Sequence, residues 1–412
     1  MILSTTKIAI IGAGAAGCFT AANILHDPNR EVILFEKSGK ALQKVKASGG
    51  GRCNVTHHLF DIADFSNHYP RGKQLLRKTL HHFDAQATIE WFRNQNVGLK
   101  AEQDGRMFPV SNNSQTIIDA IWQRLIANGT SVLFHKNISY IEEKDKHFIL
   151  HFSDQSIFEA DKVIVSCGGF PKIEQYKWLQ ALGHSIVAPA PSLFTFNLPN
   201  HPITQLMGLS VSDVSIRISQ SKIQTSGDLL ITHWGLSGPA VLRASAWAAR
   251  LMQERLYQTT IQINWLGNTT EPAIREIFQS LRQQQGAQII QHKNPFNLPK
   301  RLWDFLLHHA DINEKTRWGE LPATQQNKLI ELLIRHPFAI QGKTTYKEEF
   351  VTCGGIPLSE INPQTMESRC KAGIYFVGEI LDVDGLTGGF NFQHAWSSAF
   401  LAAKALSEKT QE

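Results

Sequence analysis

The residues best suited to chemistry stand near the two ends of the chain. Gly12-Ala13-Gly14-Ala15-Ala16-Gly17 follows the short apolar run Lys7 to Ile11, and an acid, Glu36, closes the next apolar run. In a Gly-x-Gly-x-x-Gly loop the first glycine permits the tight turn, the second lets a pyrophosphate approach the backbone, and the third lets a helix pack against the strand. The helix that opens at Ala15 presents unpaired N–H groups and partial positive charge to phosphate. A merely tight strand-to-helix turn would use the same glycines. The preceding strand, the following helix and an acid about 20 residues on favour a nucleotide. Glu36 suits the ribose hydroxyls, and its charge would repel a 2′-phosphate, which leaves FAD or NAD rather than NADP.

Two further segments lengthen this site. Ser48-Gly49-Gly50-Gly51-Arg52-Cys53-Asn54 holds three consecutive glycines, which favour close approach of backbone to a ligand over regular structure. Arg52 suits a phosphate or a flat ring, whereas Cys53 reads as a buried, inert thiol sooner than a redox one. Near the other end, Gly373 to Glu379 reads as a buried strand ending at Gly378, followed by Asp382, Asp384 and the turn Thr387-Gly388-Gly389-Phe390-Asn391. An acid after a strand can bind the hydroxyls of a sugar-alcohol chain. A glycine-rich turn at a helix N-terminus can hold the negative charge of a reduced flavin. Any one of these residues could be a structural turn or cap, but the whole cluster reads as the far end of a long cofactor, FAD.

Two histidines, His233 and His394, have the right ordinary pKa for proton transfer, although each also reads as a structural histidine. The pairs His57-His58 and His81-His82 lack metal-ligand spacing, so no metal site is expected.

The elements that must position these residues follow from periodicity. Lys7 to Ile11 and Glu31 to Phe35 read as buried parallel strands around a helix from Ala15 to Leu25. Lys37 to His57 reads as a long loop with one helical turn. Helices are expected at Phe83 to Asn94 and Ser114 to Asn128, and strands at Val132 to Phe134, Ile138 to Ile141, Phe148 to Phe152 and Lys162 to Ser166. Prolines at 189, 191, 199 and 202 mark a change of character. Beyond them, strands at Val214 to Ile218, Leu229 to Thr232 and Thr260 to Trp265 and helices at Glu271 to Leu281 and Gln325 to Ile334 suggest an inserted domain. Strand-like, glycine-rich character returns at Phe350, and a helix from about Phe392 to Ser407 ends the pattern. The expected division is 1–190, 191–345 and 346–412.

With 412 residues the chain can bury a large core; it is 42% hydrophobic and 19% charged, as soluble globular proteins are. A net charge of +5 from scattered lysines and arginines permits weak attraction to polyanions but does not argue for a nucleic-acid partner, and none is expected. Arg71 to Lys78 is the one basic segment worth weighing, and it reads as a solvated helix face. Five cysteines without a C-x-x-C pair form neither a disulfide framework nor a zinc pattern, and the N-terminal apolar run is too short to span a membrane. A cytoplasmic protein is expected.

The segments Ser48 to Asn54, Thr232-His233-Trp234-Gly235-Leu236-Ser237-Gly238-Pro239 and Gly378 to Ser398 resemble the bacterial FAD-binding flavoprotein family of aminoacetone-oxidase-like and BaiN-like (YhiN-type) NAD(P)/FAD-dependent oxidoreductases. The resemblance covers nearly the whole chain. It implies an α/β fold: an FAD-binding Rossmann-like domain of the two-dinucleotide-binding type, with an inserted β-barrel-like plus helical domain. It also implies that Gly12, Gly14, Ala15, Ala16, Gly17 and Glu36 hold the ADP half, with Lys37, Lys44, Gly51, Arg52 and Asn54 along the cofactor. Ile138 would meet adenine through its backbone, and Gly378, Glu379, Asp384, Gly388, Gly389, Asn391 and Phe392 would lie near the ribityl chain and ring. Lys46 departs from the family, which more often has an apolar residue there.

The implied activity is hydride transfer through flavin N5 to or from a small organic substrate. This could be reduction of an activated C=C bond with NAD(P)H as transient donor, or oxidation of an amine by oxygen. A second glycine fingerprint and a redox cysteine pair are both absent, which argues against a disulfide reductase. The competing reading is a flavin-binding RNA-modifying factor or a non-catalytic flavin module.

Overall fold

The computed structural model describes residues 5–145, 147–344 and 351–408. The chain forms two compact units, one of residues 1–192 with 347–412 and one of residues 193–346. The expected boundary at 345/346 and the expected return at Phe350 lie outside the described residues.

The first unit is built on five parallel strands in the order Ile374–Phe376, Lys162–Val165, Thr6–Ile11 (β1), Arg30–Phe35 (β2) and Ser131–Leu133. The inner ends of β1 and β2 are buried, as solidly apolar runs demand of a sheet covered on both faces. One cover is helical: Ala15–Asn23 (α1) packs against Ser114–Ala127 and the long C-terminal helix Phe390–Ser407. On β2, Phe35 packs against Phe152 and Phe158 at ring separations of 4.8 and 5.2 Å. These two belong to an antiparallel three-stranded sheet, Ile138–Lys144, His147–Phe152 and Ile157–Ala160. Val187–Ser192 and Val351–Gly355 pair as a two-stranded ribbon.

The second unit carries a seven-stranded sheet in the order His336–Gln341, Gln258–Asn264, Ser210–Ile218, Gln224–Thr232, Gly235–Ser237, Thr195–Asn197 and Lys343–Thr344. His336–Gln341 and Lys343–Thr344 lie at opposite ends of that order, yet only Gly342 separates them, at φ +93°. The sheet must therefore curl round on itself, which is the barrel-like form that removes open edges. Helices Glu271–Gln284, Lys300–His309 and Ala323–Ile334 bury Trp303, Trp318, Leu306 and Leu329 in a core continuous with Ile261, Ile263 and Trp265 of the sheet. Among the described residues no helix is long and apolar enough to cross a membrane.

Candidate nucleotide-binding site

At the end of β1 the three glycines have three different surroundings. Gly12 has φ +103°, and a side-chain carbon there would sit 2.8 Å from Cys167 Cα and the Ser166 carbonyl oxygen. At Gly17 it would sit 2.0 Å from the Gly12 carbonyl oxygen, so that glycine lets α1 lie against the loop. At Gly14 it would meet nothing within 4 Å. The open side of the loop is thus where a ligand can reach backbone. No side chain caps α1 and no acid stands in its first turn, which leaves its positive end available to an anion.

Glu36 turns back onto this loop. Its Oε2 accepts the Ala13 N–H at 2.9 Å, and Oε1 accepts the N–H and O–H of Ser38, each at 2.8 Å. Lys37 beside it is exposed. The Glu36 carbonyl accepts the Lys136 N–H at 2.9 Å, which holds the segment leading into Ile138 against the same strand end.

The expected loop at 37–57 contains a short helix, Gln43–Gly51 (α2), that breaks at its glycines. Ser48 is extended, and Gly49, Gly50 and Gly51 have φ +59°, +67° and +82°. Carbons added at Gly50 and Gly51 would meet nothing within 4 Å, whereas one at Gly49 would press on Phe108 at 2.9 Å. Arg52 is engaged within the chain: its guanidinium binds Glu102 at 2.6 Å and lies 3.9 Å over the Phe108 ring. Cys53 is buried, and burial pushes its thiol up to about 12, so it stays protonated and is no nucleophile. Asn54 Oδ1 is buried with no hydrogen-bond partner among the described residues. Lys46 is exposed, which explains why a lysine is tolerated there.

The C-terminal segment comes back to the first loop. A carbon at Gly378 would lie 2.8 Å from Ala16 Cβ, so the two nucleotide-type segments touch. Glu379 Oε2 meets Lys44 Nζ at 2.6 Å, and Oε1 accepts the Thr352 N–H at 2.9 Å. Sequence reasoning did not single out Thr352, whose buried Oγ1 has no partner among the described residues and whose Cβ faces Gly169. No local motif marks it; only the return of Val351–Gly355 to this place does.

Asp384 and Asn391 serve the chain itself. The Asp384 carboxylate is fully buried, gripped by both Nε and Nη2 of Arg71, and accepts the Ser192 hydroxyl at 2.6 Å. Arg71 is therefore not part of the solvated face expected for Arg71 to Lys78. The exposed cations there are Lys73, Arg77 and Lys78, on a helix that buries Leu75, Leu76 and Leu80. The Asn391 amide clamps Gly385, accepting its N–H and donating to its carbonyl, both at 2.8 Å. Gly388 and Gly389 have φ +125° and +94°, and a carbon at Gly389 would strike the Thr56 carbonyl at 2.4 Å. Phe392 stacks on Trp396.

The two histidines separate. His394 is buried, and its Nε2–H donates to the Gly378 carbonyl at 3.1 Å. That bond fixes the tautomer and leaves Nδ1 a bare acceptor with no partner among the described residues. Burial pushes its pKa down to about 4, so at neutral pH it accepts a hydrogen bond and has no proton to give from Nδ1. His233 is an exposed turn residue of the second unit, its ring against Trp234.

An uncapped helix N-terminus, open glycines and three buried acceptors without a partner among the described residues (Asn54 Oδ1, Thr352 Oγ1 and His394 Nδ1) fit a ligand with phosphates, hydroxyls and ring N–H groups, as FAD has. Comparison with known proteins agrees. The HI0933-like protein Rossmann domain family matches residues 6–405. The chain is 26% identical to the 3-dehydro-bile acid delta(4,6)-reductase of Clostridium scindens, covering 98% of this chain and 99% of that one. It is 28% identical to the ribosomal RNA dihydrouridine synthase of Haemophilus influenzae, covering 97% and 98%. The Escherichia coli protein of the same name is 27% identical over 96% and 97%. The chain belongs to the HI0933-like family of Rossmann-domain flavoproteins and is an FAD-dependent oxidoreductase.

Proposed function

We propose that this protein reduces a C=C bond conjugated to a carbonyl in a small organic substrate, with NAD(P)H as transient donor. Support comes from a relative of nearly equal length named as a 3-dehydro-bile acid delta(4,6)-reductase. Such a substrate offers a C=C bond polarised by a neighbouring carbonyl. The observation that carries the flavin part of the reading is the set of acceptors beside the glycine loops that have no partner among the described residues.

Gly12, Gly14 and the first turn of α1 bind the pyrophosphate, and Glu36 binds the ribose in exchange for its present contacts with Ala13 and Ser38. Asn54, Thr352 and His394 accept from hydroxyl or N–H donors further along. Lys44 and Glu379 neutralise each other beside them. The Arg71–Asp384 pair and the Asn391 clamp hold the turn that carries Gly388 and Gly389. FAD bound there would supply the two-electron hydride chemistry. His394 orients and does not protonate the substrate, because its only proton is committed to Gly378. Five unbridged cysteines support a cytoplasmic setting.

The test is an anaerobic half-reaction on the purified yellow protein. NADH or NADPH should bleach the flavin, and a 3-oxo-Δ4 steroid or a simpler enone should restore its colour. Recovery with a uridine-bearing ribosomal RNA fragment but no enone would move the substrate class to RNA. Bleaching by aminoacetone, with no response to any conjugated C=C bond, would overturn the proposal.

A further inference from the structure

Three side chains of the first unit converge away from the glycine loops. His184 follows the short helix Lys177–Ala181, Glu360 ends the turn Leu358–Glu360, and Cys370 lies in the loop before Ile374–Phe376. One ligand-type atom from each lies within 4.8 Å of the others. His184 is far in sequence from Glu360 and Cys370, so no spacing motif announces the three.

The rest of each side chain is already tied down. His184 is buried, its ring set edge-on to Phe376 at 4.8 Å, with Nε2 3.2 Å from Ser368 Oγ. That leaves Nδ1 facing Glu360 Oε2 at 2.8 Å. The other carboxylate oxygen, Oε1, accepts the N–H of Ser185 at 3.1 Å and its hydroxyl as well. Ser368 Oγ also takes the N–H groups of Cys370, at 3.0 Å, and Lys371, at 2.9 Å, so the residue that steadies the imidazole also shapes the turn presenting the thiol. Fixing the second polar atom of a ligand is how outer contacts aim the first at a metal.

We propose that His184 Nδ1, Glu360 Oε2 and Cys370 Sγ form a binding site for a zinc-class divalent ion. One nitrogen, one oxygen and one sulfur suit Zn2+ and not the oxygen-seeking Mg2+ or Ca2+. Cys370 is exposed, which gives the ion an entry path and leaves the fourth position to water. On binding, the thiol releases its proton to solvent, and the Nδ1 proton that bridges to Glu360 gives way to the ion as the neutral imidazole shifts to its Nε2–H tautomer. Nδ1 and Oε2 then move apart to about 3.3 Å, the separation of two ligands about 2.0 Å from a tetrahedral ion.

The experiment uses the full-length flavin-loaded protein, stripped with a chelator and titrated with Zn2+ against a chromophoric competitor. One ion per chain is expected, and Co2+ in its place should show a sulfur-to-metal charge-transfer band. Cys370→Ser should abolish that band and weaken Zn2+ binding by at least about tenfold, while Ser368→Ala weakens it by roughly tenfold and keeps the band. Cys167→Ser, at the other cysteine that is not fully buried, should change neither. Because Cys370 is exposed, its variant folds, and circular dichroism checks this. Uptake that does not saturate, a Co2+ complex without the band, or Cys370→Ser binding as tightly as wild type would each overturn the site.

Discussion

Both units of this protein bury histidines, and two of these, His336 and His394, are buried for different reasons. In the second unit His336 is 5% exposed, and its Nδ1 accepts the indole N–H of Trp265 at 3.1 Å. Burial drives its pKa to about 3, within a core that Trp265, Phe338 and Ile263 complete. In the first unit His394 is as deeply buried, but its Nδ1 finds no donor among the described residues. The lesson is that burial alone does not separate a packing histidine from a binding one. A fully buried acceptor without a donor costs free energy in the isolated fold. Here it sits beside the glycines that open the chain to a ligand.

The largest effect of a single substitution that could break this comparison is at Arg71. Arg71→Ala leaves the buried Asp384 carboxylate without a counter-charge and should cost about 3–5 kcal/mol in urea unfolding. A cost near zero would show that the turn carrying Gly388 and Gly389 does not depend on that pair.

Next comes acid. The folded pKa values of His394 and His336, about 4 and about 3, lie below the unfolded value of about 6.5. Above pH 6.5 neither affects stability. As pH falls below it, the unfolded chain takes up protons that the folded chain refuses. Stability should drop by about 1.4 kcal/mol per pH unit for each histidine, down to its folded pKa. Unfolding free energies that stay flat between pH 6.5 and 4 would refute this.

The smallest effect is the most discriminating. His394→Phe should weaken flavin binding by roughly fivefold to tenfold, the worth of one hydrogen bond of about 1 kcal/mol. His336→Phe should lower stability and leave flavin affinity unchanged. Equal flavin affinities in the two variants would erase the distinction.

Much of the first unit could be read from its residues because its signals are local. The solid apolar runs at 7–11 and 31–35, the glycines between them and Glu36 all fall within 30 residues, and the structure places them in adjacent parallel strands. The long loop expected from Lys37 was harder, since Gln43 to Ala47 makes only a brief helix before three glycines break it. Lys300–His309 was missed: the prolines at 295 and 299 ahead of it read as loop, and the helix is stabilised mainly by burying Trp303 and Leu306. Nothing local could show that Arg71, 313 residues from Asp384, is its partner rather than a surface cation. The same holds for Thr352, whose place depends on the pairing of Val351–Gly355 with Val187–Ser192.

The strand pairing that closes the second unit also sets an order of assembly. Thr195–Asn197 and Lys343–Thr344 are its first and last strands and lie side by side, so every strand of that sheet has been made once residue 344 has been added. The parallel sheet is still missing Ile374–Phe376 at that moment, and α1 lacks the helix Phe390–Ser407 against which it packs. On a ribosome adding residues in sequence, the unit begun first is finished last. A released chain cut near residue 345 would hold every strand of the barrel but only the front half of the cofactor cradle.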